Sequence, residues 1–165
     1  MKKVFFIRHA KSSWDDFSLK DIDRPLNKRG LRDAPFMATM LIGKGVKPDA
    51  IISSPANRAY TTATYFATAA GIDNQAIVKN IDIYEAMSFT VKEIVNNLNN
   101  DWNTVLIFGH NPTFTSLANS YHEDYIPNVP TCGIIEVEAD IEDWKDFSDE
   151  TGKRKNFYFP KQYFT

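Results

Sequence analysis

The sequence of 165 residues contains a single cysteine, Cys132. One thiol cannot form a disulfide within the chain, which excludes the disulfide-rich scaffolds of small secreted proteins and favours a structural thiol. No apolar stretch approaches the roughly 20 residues that a helix needs to cross a bilayer. We therefore expect a cytoplasmic protein that does not bind a membrane.

An excess of positive charge is also missing. The 19 Lys and Arg residues are outnumbered by 21 Asp and Glu residues, and the formal net charge is -2. Proteins that bind nucleic acid generally depend on many cations that neutralise phosphates, so we expect no nucleic-acid partner. The three histidines are far apart and lack close carboxylate spacing, so we expect neither a metal nor a cofactor.

The remaining composition is that of an ordinary globular protein, with 43% hydrophobic and 24% charged residues. The length suits one domain with a sizeable core. We find no internal repeat, low-complexity tract or linker. These features predict a single domain over residues 1–165.

Short apolar runs alternate with longer helical patterns, which is typical of an α/β fold. The clearest buried strands, at 4–7, 50–52 and 105–108, are continuous apolar runs, as expected where helices cover both faces of a sheet. We therefore predict a three-layer sandwich with a mostly parallel central sheet. Weaker patterns predict strands at 81–84 and 134–137 and an edge strand at 157–159.

The helical patterns carry several boundary signals. Ser54 and Pro55 resemble an N-cap followed by proline at the first helical position, and Thr90 with Glu93 resembles a capping box. Gly71 is a typical helix end, and Pro35 predicts a kink or break within its helix. We expect loops or short helices at 121–130 and 139–156. The predicted helices cover about 28–42, 55–70, 90–98 and 112–121.

Histidine and arginine follow three of the predicted strands. Arg8 and His9 come directly after the first strand, Arg58 lies early in the helix after the second, and His110 follows the strand at 105–108. Ligands of open α/β sheets bind beyond the carboxyl ends of the strands. We therefore expect these four side chains to meet at one edge of the sheet.

A phosphoryl group explains this combination of residues well. The guanidinium of arginine presents a planar fork of donors that matches phosphate oxygens. Neutral imidazole offers a nucleophilic nitrogen, whereas protonated imidazole donates hydrogen bonds. One histidine is thus a candidate nucleophile, and the other is a candidate for stabilising charge.

The motifs around these residues resemble those of the histidine phosphatase superfamily, which has the phosphoglycerate mutase-like fold. The variant Ala-Lys-Ser after His9 is most similar to the small SixA-type phosphohistidine phosphatases, and Ala10 stands where the superfamily usually has glycine. The matching motifs, in chain order, are Arg8-His9-Ala10-Lys11-Ser12, Asp23-Arg24-Pro25-Leu26 with Arg29-Gly30, Ser53-Ser54-Pro55 with Arg58 and Thr61-Thr62, Tyr84-Glu85-Ala86, and Gly109-His110-Asn111-Pro112.

The resemblance implies that His9 is the phosphorylated nucleophile and that Arg8, Arg58 and His110 bind the phosphoryl group. Glu85 occupies a position suited to the general acid of the family. The activity implied is a metal-independent phosphatase whose partner is a phosphorylated protein or a small phosphorylated metabolite. Phosphohistidine and phosphomonoester substrates both fit. A phosphoglycerate mutase-like transfer and a phosphate-binding module without catalysis are the alternatives.

Each site residue also has a structural alternative. His9 is alternatively a strand cap, His110 a buried histidine bonded to backbone, Arg58 a surface ion pair and Glu85 a solvated strand end. His122 is expected at the surface. Lys28, Arg29 and Arg32 are expected on an exposed helical face, although Arg24 or Lys28 is a candidate contact for an acidic substrate. The sequence leaves the oligomeric state open.

Overall fold

The computed structural model describes residues 1–164, and its centre is a six-stranded sheet. The strands lie in the order β3-β2-β4-β1-β5-β6. The first four in this order are parallel to one another, whereas β5 is antiparallel to both of its neighbours. The strands are β1 (Lys2–Arg8), β2 (Ala50–Ser53), β3 (Val78–Lys79), β4 (Thr104–Gly109), β5 (Ile134–Ala139) and β6 (Gly152–Tyr158).

Four α-helices and several short 3-10 helices connect the strands. The α-helices are α1 (Lys28–Gly43), α2 (Asn57–Ala70), α3 (Ser88–Asn96) and α4 (Thr113–Ser120). The 3-10 helices are Asp21–Asp23, Asn74–Ala76, Ile81–Ile83, Trp144–Asp146 and Pro160–Gln162.

The sheet separates two hydrophobic core layers. Alternate residues of β1 belong to different layers: Val4 and Phe6 pack with residues of α3 and α4, whereas Phe5 and Ile7 pack with residues of α1 and α2. All four are buried, which explains why the strand is apolar at successive positions instead of alternating. The arrangement confirms the predicted α/β three-layer architecture and its mostly parallel sheet.

The three central strands end together at one edge of the sheet. In the parallel pairs, Arg8 lies opposite Gly109 and Ser53 lies opposite Phe108. The chain segments that follow β1, β2 and β4 therefore start as neighbours in space, although about fifty residues separate them along the sequence.

The predicted strand at 81–84 is wrong, because Ile81–Ile83 forms a 3-10 helix and the edge strand is the short β3 before it. Asn80 explains the difference: its side chain accepts a hydrogen bond from the Asp82 amide at 2.9 Å. An Asx turn of this kind favours a helical turn over an extended strand. The predicted edge strand at 157–159 overlaps only the end of β6. This strand begins at Gly152, within a segment predicted to form loops or short helices.

The predicted N-terminal signals of two helices are also wrong. The N-cap of α2 is Ala56, and Ser54 instead contacts His110 through its hydroxyl. The N-cap of α3 is Met87, which precedes the expected capping box. Tertiary contacts at Ser54 and burial of the apolar residues of α3 outweigh these local preferences.

Helix α1 continues through Pro35 without a break. The Asn27 side chain caps its start by accepting from the Gly30 amide at 2.9 Å, and the core packing of Met37 and Leu41 anchors the turns after the proline. The predicted end of α2 at Gly71 is confirmed, with a left-handed φ of 71°.

Within residues 1–164, none of the helices combines the length and apolar character required to cross a membrane.

Candidate active site

His9 and His110 face each other beyond the ends of β1 and β4. Their ring centroids lie 5.3 Å apart. The backbone holds the two strand ends in register, because the His9 amide donates to the Gly109 carbonyl at 3.0 Å. The structure therefore brings together two residues that are about one hundred positions apart in the sequence.

The imidazole of His9 is held in one orientation. Its Nδ1 lies 2.7 Å from the Ala10 carbonyl oxygen. Because a carbonyl only accepts hydrogen bonds, Nδ1 carries the proton and the lone pair of the neutral ring lies on Nε2. Burial, with smaller contributions from His110 and the charges of Arg58 and Arg8, lowers the pKa of His9 to about 3, although the Ala10 bond acts in the opposite direction. His9 is thus neutral near physiological pH.

The loop after His9 is bonded to the two helices of one core layer. The Ala10 amide donates to the Thr62 hydroxyl of α2 at 3.0 Å, and that hydroxyl donates to the Arg58 carbonyl at 2.7 Å. Gly30 of α1 lies so close to the loop that a β-carbon there would approach the Lys11 carbonyl oxygen to 2.2 Å. Glycine at this position allows α1 to pack against the loop that orients His9.

His110 is positioned by Ser54 and Tyr84. Its Nε2 lies 2.8 Å from the Ser54 hydroxyl, and the Tyr84 ring packs edge-on at a centroid distance of 5.7 Å. Burial lowers the pKa of His110 to about 4, and the charges of Arg58 and Arg8 act in the same direction. His110 is therefore also neutral near physiological pH.

Arg8 contributes a permanent positive charge beside the histidines. Its Nη1 donates to the Val129 carbonyl at 2.9 Å. Burial lowers the pKa of Arg8, and the charges of Arg29 and Arg58 lower it further. Across residues 1–164, the buried side-chain nitrogens that have no hydrogen-bond partner are Nε of Arg8 and Nδ1 of His110. Unpaired buried polar atoms are costly, and here both belong to candidate phosphate-binding residues.

Arg58, at the second position of α2, is held by Asp21. Its Nη2 donates to Asp21 Oδ2 at 2.9 Å and its Nη1 to the Asp21 carbonyl at 2.7 Å. The same carboxylate accepts from the Tyr84 hydroxyl at 2.6 Å and from Arg24 at 3.0 Å. We call Asp21, Arg24, Arg58 and Tyr84 the Asp21 network.

The Asp21 network fixes the protonation states of Asp21 and Tyr84. The hydrogen bond from Tyr84, with those from Arg58 and Arg24, holds the pKa of Asp21 far below its ordinary range. Burial and the Asp21 carboxylate raise the pKa of Tyr84 to about 12. At neutral pH Asp21 is therefore an anion that cannot donate a proton, and Tyr84 keeps its hydroxyl hydrogen.

Glu85 lies at the rim of the site. Its side chain is exposed, and its φ of 57° is unusual for a residue other than glycine. Glu85 and His110 line the same pocket of about 320 Å³, together with Met87 and Thr113. The structure therefore places Glu85 in one pocket with His110, while its role stays a prediction.

Asp21 is the main residue that sequence reasoning missed. The family motif in this segment begins at Asp23, yet Asp21 precedes Arg24 by three positions, a spacing that allows an ion pair within one helical turn. That signal was present but weak. The contacts with Arg58 and Tyr84, 37 and 63 residues away, had no local signal at all.

The remaining candidates lie away from the reacting groups. Arg24 is buried and bonded to Ser12 and Asp21, so it does not present a free charge to an acidic substrate. His122 is exposed, as expected. Cys132 is fully buried, and burial raises the pKa of its thiol. Among residues 1–164, no group of three or more His, Cys, Asp or Glu side chains is arranged to hold a metal ion.

Comparisons with known proteins identify the family and the fold of the chain. The sequence profile of the histidine phosphatase superfamily (branch 1) matches residues 4–104. The SixA protein of Agrobacterium tumefaciens, described as a candidate phosphohistidine phosphatase, is 28% identical with a TM-score of 0.81, and the match covers 96% of this chain and 98% of that one. A protein histidine phosphatase SixA in complex with tungstate has the same fold, with a TM-score of 0.81, 21% identity and coverage of 97% and 98%. A phosphoglycerate mutase of Bacillus anthracis shares the fold at a TM-score of 0.70 and 12% identity, covering 93% and 91%.

Proposed function

Since the chain belongs to the histidine phosphatase superfamily, we propose that it is a phosphatase in which His9 attacks the phosphoryl group of the substrate and carries it as phosphohistidine. Arg8, Arg58 and His110 bind the phosphoryl oxygens in this proposal. The reaction needs no metal, because the two arginines supply the positive charge that stabilises the transferred group.

The observation that carries the proposal is the state of His9. A neutral imidazole with its proton fixed on Nδ1 presents the Nε2 lone pair, and it does so opposite His110 with Arg8 and Arg58 close by. A nucleophile beside fixed cationic donors is the arrangement that phosphoryl transfer requires, since catalysis there rests on positioning and charge stabilisation.

In the first step, Nε2 of His9 forms a bond to phosphorus while the bond from phosphorus to the leaving group breaks on the opposite side. The electron pair of that bond stays with the leaving group, which takes a proton from a general acid. Glu85 is the proposed acid because it lines the same pocket as His110. His110 and both arginines stabilise the charge on the equatorial oxygens.

In the second step, water attacks phosphorus and the bond to His9 Nε2 breaks. The water loses a proton to the residue that acted as acid, and the imidazole regains its lone pair. Two in-line displacements invert phosphorus twice, so the configuration at phosphorus is retained. Inorganic phosphate leaves, and the site returns to its starting state.

The proposed substrate is a phosphohistidine side chain of a protein or a phosphomonoester. Likeness to the SixA protein of Agrobacterium tumefaciens, at 28% identity over nearly the whole chain, supports the first. The position of Glu85 beside the pocket supports the second, because an alkoxide leaving group needs a proton donor. We also propose that residues 1–165 act as one domain in the cytoplasm.

The decisive experiment is a rapid-quench measurement with a ³²P-labelled phosphomonoester. Wild-type protein should acquire label that is released by acid but survives alkali, as a phosphorus–nitrogen bond requires, and peptide mapping should locate it at His9. Release of inorganic phosphate should follow. Phosphate release without such an intermediate would contradict the mechanism. Label that returns only to a second hydroxyl compound would identify a mutase, and binding without label would identify a phosphate-binding module.

A further inference from the structure

A second pocket, of about 340 Å³, lies between the first turns of α1 and the C-terminal residues of the structure. We call it the basic pocket. Its cationic lining residues are Arg29, Arg32 and Lys161, and its apolar surface comes from Pro130, Phe159 and Phe164. Small-molecule sites commonly combine an apolar surface with a few charged groups in this way.

The two arginines of the basic pocket are held in place by a buried carboxylate. Asp33 is 2% exposed; it accepts a hydrogen bond from Arg32 Nε at 2.9 Å, and Arg32 Nη2 and Arg29 Nε lie 2.8 Å and 3.9 Å from its carboxylate oxygens. Arg29 also donates to the Thr131 hydroxyl at 3.1 Å. Both arginine side chains remain about half exposed. One carboxylate thus orders two guanidinium groups without neutralising the pocket, which also includes Lys161.

Aromatic side chains give the basic pocket a flat apolar wall. The Arg32 guanidinium lies 4.1 Å from the centroid of the Phe164 ring, and Phe36 packs against the same ring at 4.8 Å. These contacts fix the plane of Phe164. The basic pocket thus combines aromatic and cationic side chains, which suits a planar ligand that carries an anionic substituent.

The basic pocket is connected to the proposed phosphoryl site through residues 129–133. Thr131, which binds Arg29, lies between Val129, whose carbonyl accepts from Arg8, and Cys132, whose amide donates to the His9 carbonyl. Arg29 is also close enough for its charge to lower the pKa of Arg8. The basic pocket and the proposed phosphoryl site therefore share contacts with one short chain segment.

We infer that the basic pocket binds an aromatic anion, namely a second negatively charged group carried on a planar part of the same phosphorylated substrate. That this anionic group belongs to the substrate rests on the proposed phosphatase function, whereas the pocket and its positive charge do not depend on that function. The ligand class follows from the lining: guanidinium forks select carboxylate or phosphate, and the aromatic wall selects a planar body.

Binding is tested without turnover by using the His9→Ala variant and naphthalene-2-sulfonate as the probe. Saturation-transfer NMR and calorimetry should detect binding of the probe to this variant. Adding Lys161→Gln or Arg32→Gln should weaken binding about tenfold, the effect of losing roughly 1.4 kcal/mol. Lys161 is exposed, so its variant preserves the fold.

Two controls define the result. Lys145→Gln alters another exposed lysine, outside the pocket lining, and should leave probe affinity unchanged. The uncharged analogue 2-naphthol should bind more weakly than the sulfonate. No detectable probe binding, or equal affinity in the Lys161, Arg32 and Lys145 variants, would overturn the inference while leaving the proposed role of His9 intact.

A kinetic comparison tests the link to the substrate. In the wild-type protein, the KM of phenyl phosphate should exceed the KM of a carboxylate-bearing naphthyl phosphate. The ratio of the first KM to the second should fall by about tenfold in the Arg32→Gln and Lys161→Gln double variant. A ratio that is unchanged by the double variant would contradict binding of the second anionic group in the basic pocket. Absence of turnover with both substrates would instead count against the phosphatase itself.

Discussion

The two histidines and the Asp21 network meet at the same edge of the sheet, but their polar groups are satisfied differently. His110 Nδ1 and the neighbouring Arg8 Nε have no partner, whereas Arg58 is bonded to the carboxylate and the carbonyl of Asp21. The histidines are buried and neutral, while the network consists of paired charges.

This difference indicates that the histidines and the Asp21 network have different roles in the site. Unpaired groups around the histidines have bonding capacity left for a ligand, whereas the Asp21 network holds Arg58 before any ligand arrives. Preorganised charge is effective in catalysis because no reorganisation is needed as the transition state forms. Asp21 is in this view a positioning residue, and His9 is the group that reacts.

The largest effect is expected from removing His9, the proposed nucleophile. His9→Ala should reduce turnover of a phosphomonoester by about 10⁴-fold or more, because the covalent route is lost. Steady-state phosphate release measures the change, and circular dichroism checks the fold. The matched control is His122→Ala, since His122 is exposed. Retention of even a tenth of the wild-type rate by the His9 variant would remove His9 from the mechanism.

The neutrality of the histidines should make the protein less stable in acid. The pKa values of His9 and His110 are about 3 and about 4 in the folded state, below the ordinary 6.5, so the unfolded chain binds more protons in this range. Stability is therefore complete above about pH 6.5 and declines as the pH falls, by up to about 1.4 kcal/mol per pH unit for each histidine.

Urea unfolding at a series of pH values measures this decline. The His9→Asn and His110→Asn double variant should have a flatter profile between about pH 6.5 and about pH 4. His122→Asn serves as the control, because an exposed histidine should leave the profile as in the wild type. Identical slopes in the double variant and the wild type would show that burial does not keep the pair neutral.

The Asp21 network is tested by removing its charge while keeping its shape. Asp21→Asn should lower kcat about tenfold, because Arg58 is no longer held at Nη2, and should also lower KM, because a negative charge beside the phosphoryl site is lost. Steady-state kinetics separate the two effects. Asp23→Asn, in the same 3-10 helix, is the matched control. A fall in kcat with no fall in KM would argue against an electrostatic role.

The smallest effect on a substrate with a good leaving group is expected at Glu85, which lies outside both groups of the comparison. Glu85→Gln should slow hydrolysis of alkyl phosphates by about 100-fold or more and change that of p-nitrophenyl phosphate little, because a good leaving group needs no proton. Paired measurements on both substrates give the ratio. The Glu85→Asp variant should restore part of the difference. Equal losses on both substrates would make Glu85 a structural residue.

Sequence reasoning succeeded where the signal was local. The continuous apolar runs of β1, β2 and β4 predicted buried strands, because only strands covered on both faces dispense with polar positions. It failed at Ile81–Ile83, where an Asn80 side-chain bond favoured a turn, and at β6, whose polar residues resemble a loop. An exposed edge strand carries polar side chains, so periodicity alone does not reveal it.

The candidate site likewise combines features set by the local sequence with features set by tertiary contacts. The sequence determined which residues are available for the site: Arg8 and His9 after one strand, Arg58 early in a helix and His110 after another strand. The place of each depends only on the neighbouring residues of the chain. The pairing of Asp21 with Arg58, the contact of Ser54 with His110 and the depressed histidine pKa values were decided only by the tertiary structure. Burial and ion pairing depend on which distant segments come into contact, and no residue carries that information by itself.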